Sequence, residues 1–514
     1  MANETPQPAS FKLTELRDRI LGGAFWVGAS QVLVQGVRFV GLLVLVRILS
    51  PGDFGLVAMC FVVTGVTVIF IEMGLPNALI QARELTPLQR SSAAWVFLAL
   101  AAAVATITVL AAPLLGALFR EPRVVALLRV FSAGFVINAL AVVPDSVLRR
   151  KMKFREVGVA DAVHAFSYVA VAVPLALSGF GPWSLVGGEL GGAVGRVVVL
   201  TWLSRERPFG RFDASSLRPL FSFGAKNAAS NLCHAVRFQA DTFIVGRALG
   251  AGLLGGYNIT KRLITAPQQR VSWILSKVCF PGFSRIQDDD ERLRRAYIKI
   301  ISVTAFITWP ALAFVAGNPG PVVEVFFGSQ WLFIVTPLRL MCIAGAAVAV
   351  ITLNGPVVLA KGRAGLELKL SMFSLPLIIA GMFIGVRYGL VGVGIGFAAY
   401  VLIAGGLSQY FTNRIIGLRL RQYVKSVMPA VFTSVSVGVC TSLTGWVLHS
   451  RYGTLASVAG SVFVSTLVYA IFAFAYRRAE IITAVSFVRE RARLTLARYG
   501  YQGDRIISQA KGRI

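Results

Sequence analysis

The chain is built from uninterrupted apolar blocks of roughly 20 residues, and their length decides what it can fold into. At a helical rise of about 1.5 Å per residue, such a block matches the ~30 Å hydrocarbon core of a bilayer. Lipid offers the backbone no hydrogen-bond partners, so a block that crosses it must be a helix. The strands of an outer-membrane barrel would alternate apolar and polar residues, and these blocks do not. Composition agrees, with 56% hydrophobic and 14% charged residues, where soluble domains average about 25% charged. The mean hydropathy is +0.71. The sequence therefore predicts an all-α integral membrane protein of about 14 spans. These are placed at 22–46, 54–79, 92–118, 124–148, 157–178, 183–203, 220–248, 253–280, 298–318, 334–359, 366–386, 390–413, 427–448 and 454–475. An interfacial segment, 1–21, precedes them. A linker, 204–219, divides them, and a basic tail, 477–514, follows, with apolar positions at helical spacing over 481–499. The N-terminus is polar through Ser10, and the first block is too long for the apolar core of a cleavable signal.

A net charge of +28 would point to nucleic acid in a soluble protein. Here the basic residues are dispersed over short loops between spans, where anionic headgroups and the positive-inside rule place them, so nucleic acid is not expected as a partner. Loops after even-numbered spans hold 23 Lys and Arg against 7 in the others. That bias puts the even-numbered loops and both termini on the cytoplasmic side. The odd-numbered loops are short and leave no room for an outside domain.

Offset by 200 residues, the first and seventh spans resemble each other. Arg47, Leu49, Gly52 and Gly55 align with Arg247, Leu249, Gly252 and Gly255, and Ala29-Ser30 with Ala229-Ser230. Six spans separate the copies, so both have the same orientation, as in a parallel repeat. Two pseudo-symmetric six-helix lobes follow, 22–203 and 220–413, with 427–475 supplying two extra spans.

Charged groups inside spans are costly unless they face protein or water, which makes them candidate site residues. The seventh span carries Lys226, Asn227, Ser230, Asn231, His234, Arg237 and Asp241 every three or four residues, a single stripe on a helix. The eighth carries Asn258, Lys261, Arg262, Thr265, Gln268 and Gln269, with Arg270 beside them; the first repeats the pattern with Ser30, Gln31, Gln35 and Arg38. Three such stripes imply a shared hydrated cavity, and its charge is net positive. Guanidinium groups grip phosphate oxygens in pairs, and amides suit sugar hydroxyls. The expected substrate-binding set is Arg38, Arg237, Lys261, Arg262, Arg270, Asn227, Asn231 and Gln31. Arg237 and Asp241 are one turn apart and could instead neutralise each other. Candidates for ion coupling are Glu72, Asp241, and Asp161 with His164, three residues apart on one face.

No Gly-x-x-x-x-Gly-Lys-Ser/Thr run or His-Glu-x-x-His pair occurs, and no paired carboxylates sit in a soluble loop where glycosyl transfer would need them. Direct ATP hydrolysis, zinc and glycosyl transfer are therefore not expected, nor is any cofactor or metal. Cys60, Cys233, Cys279, Cys342 and Cys440 all fall inside apolar blocks without ligand-like spacing and read as small packing residues.

The run Arg47-Ile-Leu-Ser-Pro-Gly-Asp-Phe-Gly-Leu-Val-Ala-Met resembles the outer junction of spans one and two in the polysaccharide transporter family. So does Gly74-Leu-Pro-Asn-Ala-Leu-Ile-Gln, followed by Glu84-Leu-Thr. Asp241-Thr-Phe-Ile-Val-Gly-Arg-Ala-Leu-Gly with Leu254-Gly-Gly-Tyr is similar to the same family's second copy. Phe280-Pro-Gly-Phe-Ser-Arg-Ile-Gln-Asp-Asp and Leu353-Asn-Gly-Pro add to it. Over residues 20–420 the likeness is nearest to the Wzx-type flippases, in the superfamily (MOP) that also holds multidrug extruders and the lipid II flippase. The resemblance implies a fourteen-helix, two-lobed fold in the bacterial inner membrane. It also implies export of undecaprenyl-diphosphate-linked oligosaccharide by alternating access, coupled to an ion gradient. A polysaccharide polymerase and a chain-length regulator would be further partners. The positions that fit the family's basic cavity are Arg38, Arg237 and Arg262, with Lys261 next. A cation extruder of the same fold predicts an acidic cavity, and a membrane polymerase predicts a long catalytic loop.

Overall fold

The computed structural model describes residues 13–72, 76, 79–80, 85–205, 209–213 and 218–511. Within these it describes all side chains except those of 13–29, 69, 72, 218–237, 267–278, 280–281 and 477–511. Among the described residues, the regular elements are all helices. In order, the helices are α1 (Leu13–Ile48), α2 (Pro51–Glu72), α3 (Pro87–Phe119), α4 (Arg123–Phe131), α5 (Ala133–Arg150), α6 (Phe154–Leu177), α7 (Pro182–Ser204) and α8 (Arg218–Arg285). There follow α9 (Asp290–Gly317), α10 (Pro319–Phe327), a 3-10 turn (Ser329–Ile334), α11 (Val335–Ile351), α12 (Asn354–Ala360), α13 (Ala364–Gly385), α14 (Gly389–Ile415) and α15 (Leu420–Lys511). Among the described residues, ten helical stretches are long and apolar enough to cross a membrane.

Local chemistry sets the helix ends. At the 47–55 junction Ser50 caps α2 and Pro51 opens it. Asp53 closes the box, accepting from the Ser50 N–H at 2.9 Å and hydroxyl at 2.7 Å and donating its own N–H to Ser50 Oγ at 3.3 Å. Thr86 and Gln89 build the same reciprocal cap on α3. Two helices fold back on themselves at glycines whose positive φ a side chain would oppose: α8 at Gly250 (φ 77°) and α15 at Gly453 (φ 82°). In α15 the Ser457 hydroxyl donates to the Gly445 carbonyl at 3.0 Å, and the Thr441 and Ser465 hydroxyls lie 2.7 Å apart, so its arms run antiparallel. The expected pairs of spans at 220–248/253–280 and 427–448/454–475 are the arms of these hairpins. The pair 366–386/390–413 corresponds to α13 and α14, whose Gly381 and Gly396 face each other closely enough that a Cβ on either would meet the other's carbonyl.

The chain forms two compact units. One comprises Met1–Leu263, Phe326–Met341 and Lys369–Ala404, and the other Ile264–Val325, Cys342–Leu368 and Gly405–Ile514. In the first, Gly55 and Gly255 mark a backbone crossing. A Cβ at Gly55 would stand 1.7 Å from the Ala251 carbonyl oxygen, and one at Gly255 would stand 1.9 Å from that of Pro51. The two glycines matched by the 200-residue offset thus pack reciprocally, which supports an internal repeat. Trp331, fully buried, donates to the Val46 carbonyl at 3.0 Å and meets Phe54 edge-on. In the second unit, the Leu353-Asn-Gly-Pro segment follows a break after Ile351. Asn354 accepts from the Tyr297 hydroxyl at 2.5 Å, and Gln409 donates to that hydroxyl at 2.9 Å. Of the cysteines described, Cys60, Cys279 and Cys342 are buried and Cys440 is half-buried.

Candidate functional site

Within the first unit, charged side chains of the helices form three clusters, two of them where small residues let helices approach. Along α7, Gly187, Gly188, Gly191, Gly192 and Gly195 let α6 approach. A Cβ on any of them would come within 3 Å of an atom of α6. Gly158 does the same for α1, where its missing Cβ leaves room for Ser30.

The first cluster sits on α1, α6 and α7. Arg38 Nη2 lies 3.3 Å from His164 Nδ1, and His164 Nε2 lies 3.9 Å from Glu189 Oε1. Arg262, on the second arm of α8, is within electrostatic reach of Glu189 and Tyr168, as is Arg38. Both arginines are exposed, and Arg262 makes no hydrogen bond or ion pair with any other described residue. Gln31 lies half-buried two turns before Arg38 on α1.

The second cluster is a chain of ion pairs. Arg196 Nε donates to Asp161 Oδ1 at 3.1 Å, and its Nη2 lies 3.5 Å from Asp145 Oδ1. Asp145 Oδ2 accepts from Arg149 Nε at 2.9 Å. Asp161 and His164 thus take Arg196 and Arg38 as partners rather than each other. Asp145 and Arg196 border a cavity of about 370 Å³, whose other walls include Val68, Ile71, Phe135 and Asn138.

The third cluster closes the α8 hairpin around Asp241, which is 1% exposed. Its Oδ2 takes Lys261 Nζ at 2.5 Å and the Tyr257 hydroxyl at 2.6 Å. Its Oδ1 takes the Thr242 N–H at 2.7 Å and the Thr242 hydroxyl at 3.2 Å. Every lone-pair direction of this carboxylate is occupied, as a buried charge requires. Lys261 and Asp241, expected as substrate ligand and coupling acid, are bonded to each other. Arg237, Arg270, Asn227, Asn231 and Glu72 lie outside the described side chains.

Sequence reasoning passed over Glu189, Arg196 and Asp145. The signal was present: Glu189 and Arg196 are charged residues in one apolar block, two helical turns apart and so on one face. Their partners on α5 and α6, however, depend on how the helices pack.

A model of the family described as "Polysaccharide biosynthesis protein" matches residues 44–336. The lipopolysaccharide biosynthesis protein WzxC of Escherichia coli (strain K12) is 27% identical over 446 residues, covering 85% of this chain and 89% of that protein. The succinoglycan biosynthesis transport protein ExoT of Rhizobium meliloti (strain 1021) is 30% identical over 321 residues, covering 62% and 65%. Among solved structures, the lipid II flippase MurJ in an inward closed conformation superposes with a TM-score of 0.70 at 13% identity, over 88% of this chain and 99% of that one. An inward-facing multidrug transporter of the MATE family gives 0.61 at 19% identity, over 75% and 95%. At those identities the solved structures establish the fold alone. The chain is a multi-pass membrane protein that belongs to the polysaccharide biosynthesis protein family.

Proposed function

We propose that the protein carries undecaprenyl-diphosphate-linked oligosaccharide repeat units from the cytoplasmic to the periplasmic leaflet of a bacterial inner membrane, for assembly of a surface polysaccharide. One observation supports this above the others. Arg38 and Arg262, on separate helices, are exposed, and both act electrostatically on one carboxylate, Glu189. A site with two guanidinium groups and one carboxylate keeps a positive excess, which suits a diphosphate. Both termini and the even-numbered loops would face the cytoplasm. Residues 22–203 and 220–413 would act as the two lobes, with the polyprenyl tail left in lipid between them. Arg237 and Arg270 would extend the cationic surface, and Asn227, Asn231 and Gln31 would meet sugar hydroxyls. A ligand shifts such a two-state carrier only through its differential affinity for the states.

Charge reversal tests the proposal. Arg38→Glu and Arg262→Glu should abolish export of polymer and leave lipid-linked repeat units in the cytoplasmic leaflet, while each variant inserts at wild-type level. Arg262→Lys should retain partial activity, since a point charge replaces a two-pronged one. Export undiminished in both reversals would overturn the assignment. A cation extruder predicts the opposite response, with drug efflux surviving or improving as the site becomes acidic.

A further inference from the structure

The imidazole of His164 is held between a cation and a carboxylate, and that geometry sets its tautomer. Arg38 Nη2 stands 3.3 Å from Nδ1. A guanidinium offers only donors and keeps its charge, so Nδ1 presents its lone pair and the ring proton sits on Nε2. Nε2 in turn lies 3.9 Å from Glu189 Oε1. The ring is 9% exposed and fits a slot left by Gly192, where a Cβ would stand 3.1 Å from both Cε1 and Nε2.

Among the described residues, the charged and titratable groups around the ring are few. Arg38 comes from α1, and Glu189 and Arg196 come from α7. Asp145 on α5 and Asp161 on the ring's own helix both hold Arg196, and Tyr168 lies one turn further along α6. Arg262 shares Glu189 with Arg38. Among the described residues, only Arg38 occupies the unprotonated nitrogen. While it does so, a proton on Nδ1 would set donor against donor, and the ring stays neutral.

We propose that His164 is a ligand-sensed proton acceptor. An anionic diphosphate draws Arg38 off Nδ1, the freed nitrogen takes one proton from solvent, and the resulting imidazolium pairs with Glu189 through Nε2. The proposal presupposes that Arg38 is an anion ligand, as proposed above. Linkage then fixes a sign: anion binding raises the proton affinity of His164, and protonation raises the affinity for the anion by the same factor.

The chain holds three histidines, His164, His234 and His449, so ¹⁵N-histidine labelling gives three ring signals, and His164→Asn identifies the one in question. In lipid nanodiscs near neutral pH, the free protein should show His164 as the neutral Nε2–H tautomer. Titration with inorganic pyrophosphate should convert it to imidazolium and move its protonation midpoint up by at least about one pH unit. Arg38→Met should raise the midpoint without ligand and remove the response. An Nδ1–H tautomer in the free protein would overturn the proposal. Pyrophosphate binding is followed separately by calorimetry. Binding with a ring that stays neutral at saturation defeats the proton-acceptor role alone. No binding defeats the anion site at Arg38, and the acceptor role with it.

Discussion

Lys261→Met separates a structural lysine from a substrate ligand. The substitution keeps the aliphatic stem and removes the ammonium that sits 2.5 Å from Asp241. The carboxylate, 1% exposed, would be left with the Tyr257 hydroxyl and the Thr242 N–H and hydroxyl. Breaking a buried ion pair by removing one partner costs about 3–5 kcal/mol. Three neutral donors remain, and the Lys261 side chain is 22% exposed, so the low end applies, about 3 kcal/mol. Asp241→Asn leaves a partly exposed cation that can reach water, and should cost about 2 kcal/mol. The double variant buries no unpaired charge and should return to within about 1 kcal/mol of wild type, a coupling of the size that double-mutant cycles resolve. Equilibrium unfolding in mixed micelles, followed by tryptophan fluorescence, reads all three stabilities. Transport measured on the same set completes the test, because a structural Lys261 predicts that activity returns in the double variant. The reasoning fails if Lys261→Met is as stable as wild type, or if Asp241→Asn adds to its loss instead of offsetting it.

Two further outcomes follow from the fold. Gly55→Ala places a methyl group where the Ala251 carbonyl stands and should destabilise by about 1–3 kcal/mol or more, whereas Gly252→Ala, with nothing within 4 Å, should be neutral or mildly stabilising in the same unfolding assay. At the α3–α4 loop, Arg123 donates to both Glu121 oxygens at 2.9 and 3.1 Å and holds that carboxyl below the usual carboxylate range. The pair's contribution is therefore full above the unfolded-state pKa and is lost as pH falls through the lowered folded value. With Arg123 68% exposed, it amounts to about 0.5 kcal/mol. Glu121→Gln should lower stability by that amount at neutral pH, leave it unchanged below the lowered folded pKa, and so flatten the acid limb of the stability profile.

The apolar blocks were legible because they depend on local periodicity. Gly55 and Gly255, matched by offset alone, turn out to touch each other's helices. The hairpins at Gly250 and Gly453 fall where loops were expected between spans. Partner choice was less legible. Spacing along one helix suggested Asp241 with Arg237, and Asp161 with His164. The structure gives Asp241 to Lys261, across a hairpin, and Asp161 to Arg196, from a neighbouring helix. Residues three or four apart share a face of their own helix, but a buried carboxylate bonds to whatever cation the facing helix brings. That depends on the rotation of each helix about its axis, which the glycine-rich face of α7 sets and no single-helix pattern encodes.

Net charge, cluster by cluster, separates structural cations from those that can serve an anion. Asp241 neutralises Lys261, and Asp145 and Asp161 together neutralise Arg149 and Arg196. In these two clusters the charges are already balanced, so an incoming diphosphate would have to displace a carboxylate and strand it in a low-dielectric interior, at a cost comparable to the contact it would gain. Around Glu189 the count differs. Among the described side chains, Arg38 and Arg262 act electrostatically on one carboxylate, and Arg38 also meets the His164 ring. An anion entering there satisfies an existing excess and displaces nothing charged. Selectivity for a phosphorylated lipid would thus arise from a single missing carboxylate rather than from the overall +28 of the chain.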